Sequence, residues 1–222
     1  MHKQLVTTSD GSHSIYIPEF KEHYHSIHGA IRESKHVFIE VGLKFVNGKE
    51  NPIKILEVGL GTGLNCFLTY LENIELKKTI ECNSIEAFPL DEEILKQLNY
   101  VEQLDAKKYE NIFTDIHQSN WNEKIELANN FIFKKINDKL QNISFNETYD
   151  LVYFDAFAPS VQSEMWTKDV FEKIYNSMNK GAVLVTYCAK GEVKRTLKSV
   201  GFEIETLPGP PGKREMTRAR KL

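Results

Sequence analysis

The chain has 222 residues, of which 41% are hydrophobic and 27% charged, and its formal net charge at pH 7 is −3. This length and composition predict one substantial globular domain that folds without disulfides or a structural metal. Its three cysteines are widely spaced and form no CxxC pair, which indicates a reducing compartment. The sequence contains neither an apolar run of the roughly 20 residues that span a membrane nor a signal-peptide core at its N-terminus, so we expect a cytoplasmic protein.

The positive charge is concentrated near the C-terminal end. Residues 209–222 hold five basic residues and one acid, a net charge of +4, whereas residues 1–208 hold 23 Lys and Arg against 30 Asp and Glu, a net charge of −7. The small average charge therefore does not exclude a nucleic-acid partner.

The first 50 residues differ from the rest of the chain. A polar, aromatic segment with His23, His25 and His28 precedes residues 31–43, which are predicted to form a helix. We interpret residues 1–50 as an N-terminal extension that packs on a main domain of residues 51–222. The spacing HxHxxH is not a usual zinc pattern, and no cysteine or clustered acid completes a ligand set, so no metal site is expected.

From residue 53 onward, β-branched apolar runs alternate with helical patterns. This alternation predicts an α/β fold with a doubly wound, mostly parallel, Rossmann-like sheet. Residues 100–130 are polar and carry no clear pattern. Helices are predicted at 64–72, after Pro89, at 163–178 with Gly181 ending it, and at 192–200. Strands are predicted at 53–59, 80–88, 131–133, 149–155, 182–188, 202–207 and 214–220.

A glycine-rich loop, EVGLGTG at 57–63, lies where the first of these strands meets a helix. A phosphate-binding P-loop would end in Gly-Lys-Ser/Thr, and a dinucleotide fingerprint would need glycine or alanine at Leu64, so both are excluded. The remaining pattern, GxGxG with Glu57 two residues ahead, resembles motif I of S-adenosylmethionine-dependent methyltransferases. The resemblance implies that Glu57 contacts the amino end of the cofactor, directly or through water.

An acid at the end of the second predicted strand, Glu86, supports an adenosine-type cofactor. Its carboxylate can accept hydrogen bonds from both ribose hydroxyls, although NAD enzymes also place an acid here. The residues that we predict to bind the cofactor are Glu57, Gly59, Gly61, Thr62, Gly63, Asn65, Glu86, Ala87, Phe88 and Asp155.

Asp155 closes the strand at 149–155, on the other side of the crevice from the glycine loop. A protonated amine is not a nucleophile, and a carboxylate here can orient an ammonium group and take up its proton. Asp155 can alternatively cap a following helix, but Pro159 and the adjacent Phe157 make a plain cap less natural. We therefore predict that Asp155 and Phe157 are catalytic, with the Phe157 ring as one wall for a flat substrate.

The sequence as a whole resembles the MnmC/MnmD-type tRNA methyltransferases. The matching segments are 10–43, LEVGLGTGLN at 56–65, IEAFPL at 85–90, FDAFAPSVQSEMWT at 154–167 and GKREM at 212–216. The resemblance implies methyl transfer from S-adenosylmethionine to the exocyclic amine of 5-aminomethyl-2-thiouridine at the tRNA wobble position. Many members carry a fused flavin-dependent oxidase for which 222 residues leave no room, so we expect a stand-alone methyltransferase whose amine comes from a separate FAD-dependent or other modification enzyme.

One family feature is missing, and the substrate side is predicted only in outline. The family usually has an acid in a Gly-Asp pair at the end of the third strand, where it touches adenine; here Asn137 or Asp138 substitutes, or the backbone alone reads adenine. Lys190 can be part of a solvated helix face, but it begins that helix near the expected mouth. The predicted substrate-binding residues are Tyr24, His25, Lys190, Lys213 and Arg214, the last two as phosphate contacts.

Two other functions remain open at this point. A polyamine aminopropyltransferase has a similar fold and can also carry Asp-Ala-Phe after its fourth strand, but the chain lacks a dense set of acids for a polycation. A non-catalytic RNA-binding module is the other alternative, against which the intact glycine loop, Glu86 and Asp155 argue.

Overall fold

The computed structural model describes residues 2–49 and 52–222. Runs of β-branched and aromatic residues form most of its strands, as the pattern predicts. The strands are β1 (Gln4–Thr7), β2 (His13–Ile17), β3 (Glu22–His23), β4 (Ile53–Val58), β5 (Ile80–Ile85), β6 (Lys124–Ala128), β7 (Phe131–Ile136), β8 (Tyr149–Phe154), β9 (Met178–Thr186), β10 (Glu203–Pro208) and β11 (Glu215–Arg220).

The first helix, α1, spans residues 30–46 and has an unusual centre. It begins as an α-helix at Ala30–Ser34, continues with π-helical geometry over Lys35–Leu43 and ends with Lys44–Val46. The other helices are α2 (Leu64–Leu76), α3 (Glu92–Leu95), α4 (Tyr100–Gln103), α5 (Glu110–Gln118), α6 (Lys168–Asn176) and α7 (Gly191–Val200).

Eight strands form one central sheet in the order β10-β11-β9-β8-β4-β5-β7-β6. The inner strands β9, β8, β4, β5 and β7 pair in parallel, whereas β6, β10 and β11 pair antiparallel at the edges. Helices cover both faces: α1, α2 and α5 pack against one face, and α6 and α7 pack against the other. This arrangement confirms the predicted Rossmann-like fold.

The order of the strands locates the binding crevice. From β4 the chain proceeds outward to β5 and β7, while β8 and β9 lie on the opposite side of β4. Strand order therefore reverses between β4 and β8, and ligands bind beyond the carboxyl ends of the strands at such a point. The loops that follow β4 and β8 carry the glycine loop and Asp155.

The N-terminal part contains a small sheet that was not predicted from the sequence. Strands β1, β2 and β3 form an antiparallel sheet of their own, and helix α1 follows it and buries Val37, Phe38 and Leu43 against the central sheet. The division of the chain at residues 50 and 51 lies outside the described residues, and it stays a prediction.

Two predictions about the elements are wrong. The helix predicted over 163–178 is shorter: a 3₁₀ turn occupies Ser163–Trp166, Thr167 caps α6 by accepting from the Val170 N–H at 3.4 Å, and Met178 already belongs to β9. Gly181 lies inside β9, at an irregularity in its pairing with β8, rather than ending the helix. Residues 100–130, for which no particular helix or strand was predicted, form α4, α5 and β6.

Within residues 2–49 and 52–222, none of the helices has both the length and the apolar character needed to cross a membrane.

Candidate active site

A cavity of about 1280 Å³ lies at the carboxyl ends of β4, β5 and β8. Small-molecule sites usually occupy roughly 300–1,000 Å³, so this cavity has room for a cofactor together with a second reactant. Its walls come from the glycine loop, the segments after β5 and β8, the N-terminal segment 17–33, and the turn that precedes β11.

The glycine loop is fixed to the sheet through its backbone. The Gly59 and Leu60 N–H groups both donate to the Ile85 carbonyl, at 3.0 and 3.1 Å. Gly59 has φ of 94°, and a Cβ atom there would lie 2.6 Å from the Asp155 carbonyl oxygen. Only glycine fits this position, because both the dihedral and the close approach of the neighbouring chain exclude a side chain.

Glu86 reinforces the same loop from the end of β5. Its carboxylate accepts the Gly61 N–H at 2.9 Å and the Phe88 N–H at 2.8 Å. A carboxylate has about four lone-pair sites, so two remain for a ligand in the cavity. Glu86 thus holds the loop in place and keeps acceptor capacity for hydroxyl groups.

The side of the cavity next to β7 offers polar groups in place of the missing acid. Asn137 donates through Nδ2 to the Glu86 carbonyl at 2.9 Å, which ties the ends of β5 and β7 together. Asp138 lies on the cavity wall and accepts the Lys139 N–H at 2.7 Å. Of the two predicted substitutes, Asp138 is therefore the one at the wall.

Asp155 lines the cavity and is held by Asn65. The Asn65 Nδ2 donates to Asp155 Oδ2 at 2.8 Å, whereas in the described part of the chain Asn65 Oδ1 is buried without a hydrogen-bond partner. Burial raises the pKa of Asp155 from 3.8 to about 7; the Glu33 carboxylate adds to this, and the Asn65 hydrogen bond and Lys213 oppose it. The group is therefore ionised or protonated depending on small changes near neutral pH.

Glu57 does not line the cavity, so its contact with the amino end of the cofactor, directly or through water, stays a prediction. Its side chain is fully buried behind the loop and accepts a hydrogen bond from the Ser84 hydroxyl. Burial, with Cys82 and Asp155 nearby, raises the pKa of Glu57 well above its usual value.

Aromatic rings form the wall beside Asp155. The Phe157 ring packs edge-on against the Tyr24 ring, with the ring centroids 5.0 Å apart. It also packs edge-on against the Phe20 ring, with the centroids 6.4 Å apart. Phe20 is 40% exposed, so this edge of the wall opens to solvent. Burial raises the pKa of Tyr24, so its hydroxyl stays protonated.

His25 is buried beneath the loop and is uncharged. Burial lowers the pKa of His25 to about 4. Its Nε2 atom lies 3.4 Å from the Thr62 hydroxyl oxygen. The same hydroxyl oxygen accepts a hydrogen bond from the Tyr100 hydroxyl at 3.3 Å. His25 therefore supports Thr62, and both residues line the cavity. Among the described residues, no group of three or more His, Cys, Asp or Glu side chains is arranged to hold a metal.

The basic residues near the C-terminus have different environments. Lys213 turns into the cavity, where it pairs with the buried Glu33 and lies 3.9 Å above the Tyr187 ring. Arg218 pairs with Glu205, whereas the Arg214 side chain is 94% exposed. The positive charge is thus partly internal, and Arg214 is the predicted phosphate contact that faces solvent.

The structure brings most of the predicted residues together. Those on the cavity wall are Tyr24, His25, Gly59, Gly61, Thr62, Asn65, Glu86, Ala87, Phe88, Asp155, Phe157 and Lys213; those away from it are Glu57, Gly63, Lys190 and Arg214.

Many wall residues were not among the predicted site residues, and two of them, Glu33 and Tyr187, lie close to Lys213. Tyr187 follows β9, and the strand-end rule already selects residues 187–191 as a place where ligands bind. In the sequence, Glu33 is one acidic residue in a predicted helix. Its role in the cavity wall follows only from its ion pair with Lys213, which is 180 residues away.

The fold and the cavity define a protein of the Rossmann-like class, with a glycine loop in the cavity wall at the carboxyl ends of the strands. The chain belongs to the S-adenosyl-L-methionine-dependent methyltransferase family, whose model matches residues 95–222. This match confirms the predicted enzyme class and cofactor. The unused acceptor sites of Glu86 fit that cofactor.

The sequence is similar to that of a longer curated protein. It is 33% identical over 216 residues to the tRNA 5-methylaminomethyl-2-thiouridine biosynthesis bifunctional protein MnmC of Leptospira interrogans. The alignment covers 89% of this chain and 32% of that protein. The chain thus spans about a third of the length of the curated relatives it matches.

Two solved structures share the fold. The crystal structure of MnmC2 from Aquifex aeolicus matches with a TM-score of 0.79 and 24% identity, covering 98% of this chain and 69% of that one. Spermidine synthase from Thermotoga maritima matches with a TM-score of 0.55 and 12% identity, covering all of this chain and 72% of that one.

Proposed function

We propose that this methyltransferase acts on tRNA, transferring a methyl group to the exocyclic amine of 5-aminomethyl-2-thiouridine at the wobble position. The observation that carries the proposal is Asp155, a buried carboxylate between a cofactor loop and an aromatic wall, with a pKa raised to about 7. The name of the Leptospira relative, and the segments shared with MnmC/MnmD-type enzymes, support this acceptor.

The cofactor is assigned to the loop side of the cavity. The backbone of Gly59–Thr62 would flank its methionine part, and Glu86, with Ala87 and Phe88, would hold the ribose and the adenine side. S-adenosylmethionine supplies, when bound, an electrophilic methyl group on a sulfonium centre. Asn65 would then orient Asp155 toward the space between cofactor and acceptor.

Asp155 is suited to an amine acceptor on energetic grounds. A primary alkylamine titrates near 10.4, about six units above an ordinary Asp, and each unit costs about 1.36 kcal/mol in proton transfer. With its pKa near 7, Asp155 reduces this cost by about 4 kcal/mol while remaining ionised enough to hold the ammonium. Asp155 therefore binds the ammonium group, orients it and takes up its proton; the neutral amine can then attack the methyl carbon, and S-adenosylhomocysteine is the leaving group.

Phe157 and Tyr24 are assigned to the target base. A wobble base must be unstacked from its neighbours to reach a buried carboxylate, and an aromatic wall restores the lost stacking. Arg214 is assigned to a backbone phosphate, because its exposed guanidinium lies next to the turn that enters the cavity. We assign the enzyme to the cytoplasm, with its amine supplied by a separate FAD-dependent or other modification enzyme.

The test is transfer of labelled methyl groups to tRNA from cells that lack this modification step. We expect label on tRNA that carries the aminomethyl group and none on tRNA with unmodified wobble uridine, which is the matched control. Label on spermidine-type amines instead would show methylation of a polyamine acceptor. The aminopropyltransferase-like alternative is tested with decarboxylated S-adenosylmethionine labelled in its aminopropyl group, because that reaction leaves the methyl group on methylthioadenosine; label on the polyamine would support it. Tight tRNA binding without any transfer would support the RNA-binding module. Any of these results would overturn the proposal.

A further inference from the structure

The N-terminal segment and the turn before β11 are joined beside the acceptor end of the cavity. His36 Nε2 donates to the Pro208 carbonyl at 2.8 Å, and Lys213 pairs with Glu33. A Cβ atom at Gly212, which has φ of 84°, would lie 2.0 Å from the His28 ring, so the turn passes directly against the N-terminal segment. Of these contacts, those of Lys213 and Gly212 lie in the cavity wall, whereas the His36–Pro208 hydrogen bond ties α1 to the end of β10 outside it.

The Glu33–Lys213 pair is more than a surface ion pair. The Glu33 side chain is 8% exposed and also accepts the Ser26 N–H at 2.8 Å. The Lys213 ammonium lies on the Tyr187 ring, and the Tyr187 hydroxyl donates to the carbonyl of Ala156, the residue after Asp155, at 2.9 Å. The acid is buried and the lysine is 33% exposed, and a partly buried pair that is satisfied in this way holds both charges in the cavity wall.

We propose that Glu33 and Lys213 are positioning residues for methyl transfer. The pair places beside Asp155 a cation, Lys213, whose charge is compensated by Glu33. The substrate amine, rather than Lys213, is then the group that shares a proton with the Asp155 carboxylate. The identity of the amine rests on the proposed function, whereas the effect of the pair on Asp155 does not.

The groups that face Asp155 come from five parts of the fold. Glu33 from α1 disfavours its ionised form, and Lys213 from the turn before β11 favours it. Glu57 at the end of β4 and Tyr187 after β9 also lie close enough to interact with it, and burial raises the pKa of both. Asn65 is an uncharged donor. Glu33 and Lys213 are therefore the oppositely charged pair that acts on Asp155 in opposite directions, in addition to its burial.

The two members must then act in opposite directions when changed singly. Glu33→Gln removes an anion and leaves Lys213 uncompensated, which stabilises ionised Asp155 and moves its titration to lower pH. Lys213→Met removes the cation and leaves a buried anion, which moves the titration to higher pH. A purely structural role would not produce opposite signs.

The test is a titration of the full-length protein labelled with ¹³C at its aspartate carboxyl carbons, with the Asp155 signal assigned from Asp155→Asn. We expect the midpoint to fall by about one pH unit in Glu33→Gln and to rise by about one unit in Lys213→Met. The double variant should lie between them, and Lys213→Arg should restore the wild-type midpoint. Lys194→Met is the matched control, because Lys194 pairs with Glu215 at 3.1 Å away from the cavity wall.

The same variants are then assayed for methyl transfer across pH, where the acid limb should move with the titration. Shifts in the same direction, or no shift in protein that melts as wild type does, would overturn the inference; Lys213→Gln replaces Lys213→Met if the latter does not fold. If wild-type protein does not methylate aminomethyl tRNA, the proposed function fails while the titration still decides the role of the pair.

Discussion

The two halves of the cavity are built in different ways. The half assigned to the cofactor is held by main-chain hydrogen bonds between adjacent strand ends, such as those from Gly59 and Leu60 to Ile85. The half next to Asp155 is assembled from side chains far apart in the sequence, including Tyr24, Glu33, Phe157 and Lys213. The first half is therefore a property of the sheet, and the second depends on how the two ends of the chain meet.

This difference separates binding from chemistry. Changes in the loop half should alter cofactor affinity, while changes in the assembled half should alter acceptor use and leave cofactor affinity almost unchanged. Each variant below tests that separation, and both the cofactor dissociation constant and the transfer kinetics are measured for each.

Asp155→Asn should have the largest effect, a loss of roughly 10²–10⁴-fold in kcat, because the amide cannot accept a proton from the amine. The amide can still accept the Asn65 hydrogen bond, so the cofactor dissociation constant measured by calorimetry should change less than threefold. Since a buried carboxylate with a raised pKa is destabilised when ionised, the variant should also melt at a higher temperature than wild type at pH 8. Wild-type turnover by Asp155→Asn would remove Asp155 from the chemistry.

Glu86→Gln should weaken cofactor binding by about tenfold. An amide nitrogen would replace one carboxylate oxygen, and it cannot accept the hydrogen bonds that we assign to the loop N–H groups and the ribose hydroxyls. At saturating cofactor, kcat should be within about threefold of wild type. Glu81→Gln is the matched control on the same strand, because Glu81 pairs with Lys124 at 2.8 Å outside the cavity. An unchanged dissociation constant in Glu86→Gln would contradict the ribose assignment.

Phe157→Ala should raise the KM for tRNA about tenfold and leave cofactor affinity within twofold, because stacking of a base on an aromatic ring contributes roughly 1–3 kcal/mol. Phe45→Ala is the control: Phe45 is 44% exposed and contacts Arg218 rather than the cavity. Equal effects of the two variants would show that Phe157 does not form the wall for the base.

The same division explains what the sequence could and could not predict. Glu86 and the glycine loop follow from local patterns, because parallel strand ends meet at one edge of the sheet whatever the rest of the chain does. The position of Lys213 depends on Glu33, 180 residues away, and no local pattern distinguishes a lysine that turns inward from one that faces solvent. The short strands β1–β3 and the end of α6 were missed for a related reason: tertiary contacts, rather than local propensity, fix such short elements.

Arg214→Gln should have the smallest effect, a loss of less than about tenfold in tRNA affinity, with the slope of log affinity against log salt falling by about one unit. The loss should shrink as salt increases, because one phosphate contact fewer releases one counterion fewer. Lys108→Gln, on an exposed turn that does not line the cavity, should leave both affinity and slope unchanged. An Arg214→Gln slope equal to that of wild type would mean that the exposed guanidinium does not meet the tRNA backbone, and tRNA would then be held by the assembled half of the cavity alone.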